Sequence, residues 1–362
     1  MKASVDIAVV GAGSAGIAAA VSAARTGATT LLLDRRPAAG GIGGFSGLTT
    51  LCGLFDDAGK FLNEGFAREF AGAVSDSAPL KMGRVWVLPY RPEKFRAIAA
   101  DLLAGTAHLQ TRWNAPLQNV VVEGGRITSV NGIAVGAVID CSGSAEVARA
   151  IHAPCLETND ATQAPAVVFP LHHIQREFNA PAEVAKVLLA LARAGFPPMN
   201  FQAAPERGTF TFKFTGSPEQ VPAVIQFLRG NVAGFENCAM PLTEFTTTAR
   251  AGRMIVGQQV LTGDDVLAGR KFPDAVARGA WPIEQWNAEG VVRYRYLPAG
   301  AVYDIPARCL RAAGVENLFM AGKTISADVD AFASTRVMGC CLATGAAAAQ
   351  LAARHLETLP TR

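Results

Sequence analysis

Val5-Asp6-Ile7-Ala8-Val9-Val10 runs directly into Gly11-Ala12-Gly13-Ser14-Ala15-Gly16, and the Ala-rich stretch that follows extends to Arg25. The mostly apolar hexapeptide reads as a strand covered on both faces, because such strands lack polar alternation. Gly11 permits a tight turn, Gly13 lets backbone approach a pyrophosphate, and Gly16 lets helix and strand pack closely. The helix starting at Ser14 and Ala15 opens with unpaired N–H groups, which favour a diphosphate there. Gly27 stops the helix. Residues 29–33 form a second strand, and Asp34 stands 23 residues beyond Gly11, placed to accept from ribose hydroxyls. Arg35 joins this set as a cofactor contact; with Arg36 it also fits a 2′-phosphate site or a solvated pair.

The far end of the chain repeats the grammar. Leu318-Phe319-Met320-Ala321 is a short buried strand ending at Gly322, and Ser334-Thr335-Arg336-Val337-Met338-Gly339 leads into a small-residue helix through Cys340 and Gly345. Between them, Ile139-Asp140 is the end of another strand and runs into Cys141-Ser142-Gly143. Two strand-to-glycine elements at opposite ends imply that the termini fold together around one long ligand, as in FAD-binding folds of the glutathione reductase type. Ser142, Gly143, Gly322, Arg336, Gly339 and Cys340 are therefore cofactor-binding candidates. Gly41 and Gly44, in the glycine loop after Pro37, join them. Backbone N–H groups at the start of the last helix can stabilise charge on a reduced flavin ring.

The reading is α/β: a Rossmann-like FAD-binding domain in two parts, 1–154 and 301–362, with an inserted α+β substrate domain at 155–300. Helices are expected at 63–73 and 92–104, short strands at 108–113, 117–123 and 126–130, and a buried strand at 137–140. Prolines and aromatics increase after Pro154. There, 182–194 and 219–228 read as amphipathic helices, and Thr209-Phe210-Thr211-Phe212-Lys213-Phe214 alternates with the period of a strand.

The chain resembles the FAD-dependent oxidoreductase family related to the fumarate reductase and succinate dehydrogenase flavoproteins. The resemblance rests on GAGSAG (11–16), GGIGGFSGL (40–48), VIDCSGSAEVA (138–148), the stretch 250–279, YDIPARCL (303–310) and 316–345. It spans most of the chain and is weakest over 155–240. It implies bound FAD without a second nicotinamide domain, and no particular substrate. Val329 and Glu284-Gln285-Trp286 stand where similar sequences carry histidines, and Ala346 and Ala349 where Gln and Gly are frequent. The loop 40–50 has no histidine, so covalent flavin attachment of the succinate dehydrogenase kind is not expected; Cys52 is the other nucleophile in reach.

Of 362 residues, 50% are hydrophobic and 17% charged, with a net charge of +3, too small for a nucleic-acid binder. Seven cysteines without CxxC spacing argue against a disulfide framework or zinc site, and for reduced thiols in a cytoplasmic protein. No signal peptide is expected ahead of Val5, and apolar runs are broken before the roughly 18 residues of a membrane span. No metal is expected, and a homodimer is the base-rate oligomer.

The catalytic candidates are Arg250, Arg253, Tyr303 and Arg336. Three apart, Arg250 and Arg253 share a face if helical and would clamp a carboxylate; tied to Asp264, Asp265 or the FAD pyrophosphate they are structural. Arg336 stands by the flavin helix. Tyr303 is a proton donor or a packed aromatic. His172-His173 offer a base or core imidazoles, and Cys340-Cys341 a redox pair or small buried hydrophobes. The leading function is FAD-dependent oxidation or reduction of a small organic substrate by hydride transfer at flavin N5, with the electron acceptor open. The alternatives are a flavoprotein with structural or non-redox FAD, an electron-transfer subunit, and an NAD(P) enzyme, against which the C-terminal stretch argues.

Overall fold

The computed structural model describes residues 4–159, 162–178, 180–240 and 246–358. Five parallel strands form its centre, in the spatial order Leu109–Arg112, Thr30–Leu33, Ser4–Val10, Ile133–Asp140 and Leu318–Met320. The hairpin Val120–Glu123 and Arg126–Val130 pairs with the start of Ile133–Asp140, and Leu318–Met320 pairs with its end. Val10, Leu33, Arg112, Asp140 and Met320 thus terminate at one edge of the sheet. In open α/β sheets ligands bind outside this edge.

The chain ends meet because both carry small residues. Every residue of helix Ser14–Ala24 is buried. It lies against helix Met338–Glu357, and a Cβ at Gly345 would stand 2.2 Å from Ala15 O. The final helix is longer than its glycines suggested, and Arg336-Val337 separates it from the short helix Val329–Thr335. No single described helix is long and apolar enough to cross a membrane.

A second sheet is antiparallel, ordered Met199–Ala203, Phe210–Phe214, Ala166–Leu171 and Thr246–Thr248. Its alternation has a structural consequence. Phe210, Phe212 and Phe214 share a core with Phe169, Phe201 and helices Pro181–Arg193 and Val221–Asn231. Thr211 and Lys213 point to the opposite face, with Gln202 opposite Thr211 in the register. That face meets the start of the strand Thr50–Cys52: Gln202 Nε2 donates to Thr49 Oγ1 and Thr50 Oγ1, both at 3.3 Å. This second core draws on residues between Val167 and Cys238, whereas Met254, Leu261, Val266, Ala277, Ile283 and Leu297 join the main core.

Candidate cofactor cleft

The carboxyl ends of the parallel strands open into a cleft of about 970 Å³. Gly11, Gly13, Ser14, Ala15, Asp34, Arg35, Gly41, Ser142, Gly143, Gly322 and Arg336 all line it, from six separate stretches of chain. Glycine is required where backbones nearly touch. Gly11 has φ +98°, and a Cβ there would stand 2.6 Å from Cys141 O; one on Gly41 would stand 2.7 Å from Gly13 Cα. Helix Ser14–Ala24 has no side-chain cap, so its first N–H groups remain available to an anion.

Asp34 is held by the chain itself. Ala12 N donates to Oδ2 at 2.5 Å and Arg36 N to Oδ1 at 2.7 Å. Each oxygen keeps a second lone pair, so ribose hydroxyls can still donate to it. Arg35 is exposed and lies 3.6 Å from Glu146, on the facing side of the cleft.

The turn after Asp140 is built around that carboxylate, whose importance the sequence did not reveal. Asp140 is 0% exposed. Ser142 N and Oγ donate to Oδ1 at 3.0 and 2.6 Å, and Val147 N donates to Oδ2 at 2.9 Å. Burial raises its pKa against these hydrogen bonds. Its carbonyl accepts from Thr324 Oγ1 at 2.7 Å and Ala321 N at 3.1 Å, tying the turn to the C-terminal strand.

Lys323 is a second residue missed in the sequence. It lines the cleft, and its Nζ donates to Ala251 O at 2.8 Å and Ala249 O at 3.2 Å. Burial, and then the like charge of Arg336, push its pKa down to about 8.

Four cofactor candidates stand off the cleft lining. Gly16 is a packing position, where a Cβ would fall 1.6 Å from Gly11 O. Gly44 is pressed against Arg96, whose Nη1 donates to Gly44 O at 2.6 Å. Gly339 abuts Gly53, and Cys340 is fully buried beside Val87, Trp281 and Val337. Its neighbour Cys341 reaches the cleft, with its thiol pushed up to about 12 by burial. Cys52 is likewise pushed up to about 12, by burial and then Glu284, which leaves little thiolate for attachment chemistry.

The catalytic candidates need correction. Arg250 and Arg253 do not share a helix face: Arg253 opens the strand Arg253–Ile255, and Arg250 lies in coil before it. Arg253 lines the cleft and pairs with Glu157 at 2.6 Å, while Arg250 turns away toward Trp286. Neither pairs with Asp264 or Asp265; Asp265 caps helix Gly263–Leu267 and binds Arg270. Tyr303 is fully buried with Oη 2.8 Å from Ser334 Oγ, and burial raises its pKa well above the ordinary value, so it is a packed aromatic. Neither His172 nor His173 is among the cleft residues. Among the described residues there is no cluster of metal-ligating side chains.

Comparison with known proteins places this arrangement. The family model for FAD-dependent oxidoreductases matches residues 6–213 and 208–359, and the chain belongs to that family. No curated protein matches the sequence. The fold is similar to CabE, an aromatic hydroxylase from angucycline biosynthesis, and to GidA from Aquifex aeolicus. Each gives a TM-score of 0.56 at 12% identity, over 99% of this chain and 64% of the other. The chain thus spans just under two thirds of the length of these relatives. The protein is an FAD-binding, Rossmann-type flavoprotein, and its cofactor is FAD. The glycine cradle, the uncapped helix start and the cleft volume fit that group.

Proposed function

We propose that the protein holds FAD non-covalently in this cleft and catalyses hydride transfer between the flavin and a small organic substrate, as a dehydrogenase or oxidase. The observation that carries the reading is the convergence of both chain ends on one cleft, with a helix start at Gly13 and Ser14 and a cationic group at Arg336. When bound, FAD supplies hydride transfer at N5. The residues' proposed roles follow from their chemistry. Gly13, Ser14 and Ala15 offer backbone N–H groups to the diphosphate, Gly11, whose own N–H donates to Leu33 O, makes the tight turn before them, and Asp34 accepts from ribose. Gly41, Ser142, Gly143 and Gly322 allow backbone to lie close to the cofactor. Arg336 orients substrate, while Lys323 and Arg253 supply positive charge. The four-stranded sheet, with Thr247 and Thr248 lining the cleft, covers the site from the substrate side. Kinship to the fumarate reductase flavoproteins belongs to this proposal.

The test is the visible spectrum of purified protein, before and after denaturation and filtration. Flavin bands that pass the filter and bleach anaerobically with a substrate are expected. A colourless protein that takes up no added FAD overturns the reading. One observation favours a second reading, a structural FAD or an electron-carrying subunit: no histidine is among the cleft residues, and Tyr303 is sealed away. A flavin that chemical reductants bleach and no organic substrate does would support it.

A pH dependence follows from Lys323. Its pKa is lowered to about 8, so its charge is present below that pH and is lost as pH rises through it. The apoprotein should bind FAD up to about tenfold more weakly at pH 9 than at pH 7, a difference of about 1.4 kcal/mol. Quenching of flavin fluorescence measures this, and Lys323→Met should flatten the dependence.

A further inference from the structure

One stretch of the cleft wall is held from the opposite side by one lysine. Residues 249–252 leave the antiparallel sheet after Thr246–Thr248 and enter the strand Arg253–Ile255, which pairs with Cys155–Glu157. Thr158, Ala249, Ala251 and Gly252 line the cleft there. From Gly252 onward the chain is tied to its neighbour. Thr158 N donates to Gly252 O at 3.0 Å, Gly252 N to Thr158 Oγ1 at 2.8 Å, and Val256 N to Pro154 O at 2.9 Å. The backbone of 249–251 is different. Among the described residues its hydrogen bonds all come from Lys323 Nζ, which donates to Ala251 O at 2.8 Å and to Ala249 O at 3.2 Å.

The path of that side chain is built into the fold. Lys323 follows Gly322, where a Cβ would stand 2.8 Å from Ala15 Cβ, so the lysine begins beside the uncapped helix start. Its stem then passes two glycines. A Cβ at Gly143 would stand 3.9 Å from Lys323 Cδ, and one at Gly252 would stand 3.0 Å from Cε. The same Gly252 Cβ would fall 2.8 Å from Phe332 Cζ, so a side chain at 252 crowds the stem against a packed ring. Lys323 thus joins the turn after Asp140 and the C-terminal strand to the exit from the antiparallel sheet.

Its charge is unanswered. An ammonium has three donors, and the two carbonyls use two of them. No carboxylate lies within ion-pair distance of Nζ among the described residues, and the charged neighbour that bears on it most is Arg336, of like sign. Burial and then Arg336 disfavour the charged form. A cation removed from water needs a counter-charge, and hydrogen bonds from an ionised donor are about twice as strong as neutral ones. The diphosphate of FAD is an anion, and it belongs at the helix start from which the lysine sets out.

We infer that Lys323 is a positioning residue that couples cofactor binding to the exit from the antiparallel sheet: the anionic cofactor supplies its missing counter-charge, and the ammonium so held fixes Ala249 and Ala251. The inference rests on reading this cleft as the FAD site. Without cofactor the ammonium is drawn toward water and releases the two carbonyls. With cofactor the wall from 249 to 252 is fastened to the parallel sheet, and the orientation of the antiparallel sheet over the cleft follows.

Amide hydrogen exchange tests this, because it reports local opening segment by segment. Four samples are compared at pH 7: wild type and Lys323→Met, each as apoprotein and saturated with FAD. Segment 11–16 reports cofactor binding itself, while 155–159 and 247–256 report the wall. FAD should slow exchange at 11–16 in both proteins. At 155–159 and 247–256 it should slow exchange at least tenfold in wild type and less than twofold in Lys323→Met. A lysine with a merely structural role would speed exchange there on mutation by the same factor with and without FAD. Equal protection of the wall by FAD in both proteins overturns the inference. So does wild type protected at 11–16 and unprotected at 247–256, a result that needs no variant to fold. Wild type with no protection by FAD at any segment removes the cofactor reading, and the inference with it.

Discussion

Gly16→Val should yield no folded protein, whereas Gly13→Val should fold with a melting temperature within a few degrees of the parent and retain no FAD. The two glycines are three residues apart in one motif, yet they face different obstacles. A Cβ at Gly16 would stand 1.6 Å from Gly11 O and 2.8 Å from Gly11 C, with Cys141 Cβ at 3.3 Å. These first obstacles are backbone atoms of a turn already fixed between two central strands, so the helix must leave the sheet. Overpacking of this severity belongs with the largest single-site losses, above about 5 kcal/mol, comparable to the whole stability of many domains. At Gly13 a Cβ would find nothing nearer than Gly41 Cα at 3.9 Å, and φ is −79°, which any L-residue adopts. Valine there costs the fold about 1 kcal/mol as a poor N-cap. Its methyl groups instead project beside the uncapped helix start, where the diphosphate would approach. A loss of at least about 100-fold in FAD affinity, near 3 kcal/mol, is expected. Circular dichroism and the flavin-to-protein absorbance ratio after desalting measure the pair. Stoichiometric flavin in Gly13→Val would remove the cofactor from this cleft.

The contrast also shows what was legible in the sequence. Glycine positions, strand hydrophobicity and Asp34 are backbone-level signals with fixed spacing, so the turn, the second strand and the meeting of the chain ends could be read directly. The alternation at 209–214 announced a strand, and which face was apolar core became clear only when Phe210, Phe212 and Phe214 were seen packed together. The pairing of Arg250 with Arg253 failed because an i, i+3 spacing places side chains together only on a helix. This segment is coil and strand, so the two guanidiniums diverge. Tyr303 reads from sequence as a proton donor or a packed aromatic, because its exposure depends on Ser334 and Trp281, which arrive from distant chain. Asp140, Lys213 and Lys323 carried no signal, since an acid or a lysine near a strand end is usually solvated. Asp140 is fully buried and the two lysines are half-buried, and burial is a property of the assembled structure.

Asp140→Ala should cost about 3–5 kcal/mol and reduce FAD binding in the protein that remains folded. The carboxylate receives three donors at 2.6–3.0 Å in a place without solvent. Alanine leaves the Ser142 and Val147 N–H groups without partners, each destabilising by about 1–3 kcal/mol, the former at the lower end because Ser142 is only partly buried. The turn they close includes Gly143 at φ +74° and Ala145 at φ +54°. A left-handed alanine persists only where its surroundings impose it. Once released, Ser142 and Gly143 no longer present backbone to the cleft, so the stability and binding losses share one cause. Asp140→Asn should cost less, since its amide oxygen can keep the Ser142 donors while its NH₂ opposes Val147 N–H. The two proteins should also differ with pH. The folded-state pKa of Asp140 is raised, so the folded state holds the proton more tightly than the unfolded chain. That contribution is full below the unfolded value of about 3.9 and is lost as pH rises through the folded value. Wild type should therefore gain stability relative to Asp140→Asn as pH falls toward about 4. Urea unfolding at several pH values measures this. A constant difference would mean that Asp140 keeps one protonation state throughout and acts through its hydrogen bonds alone.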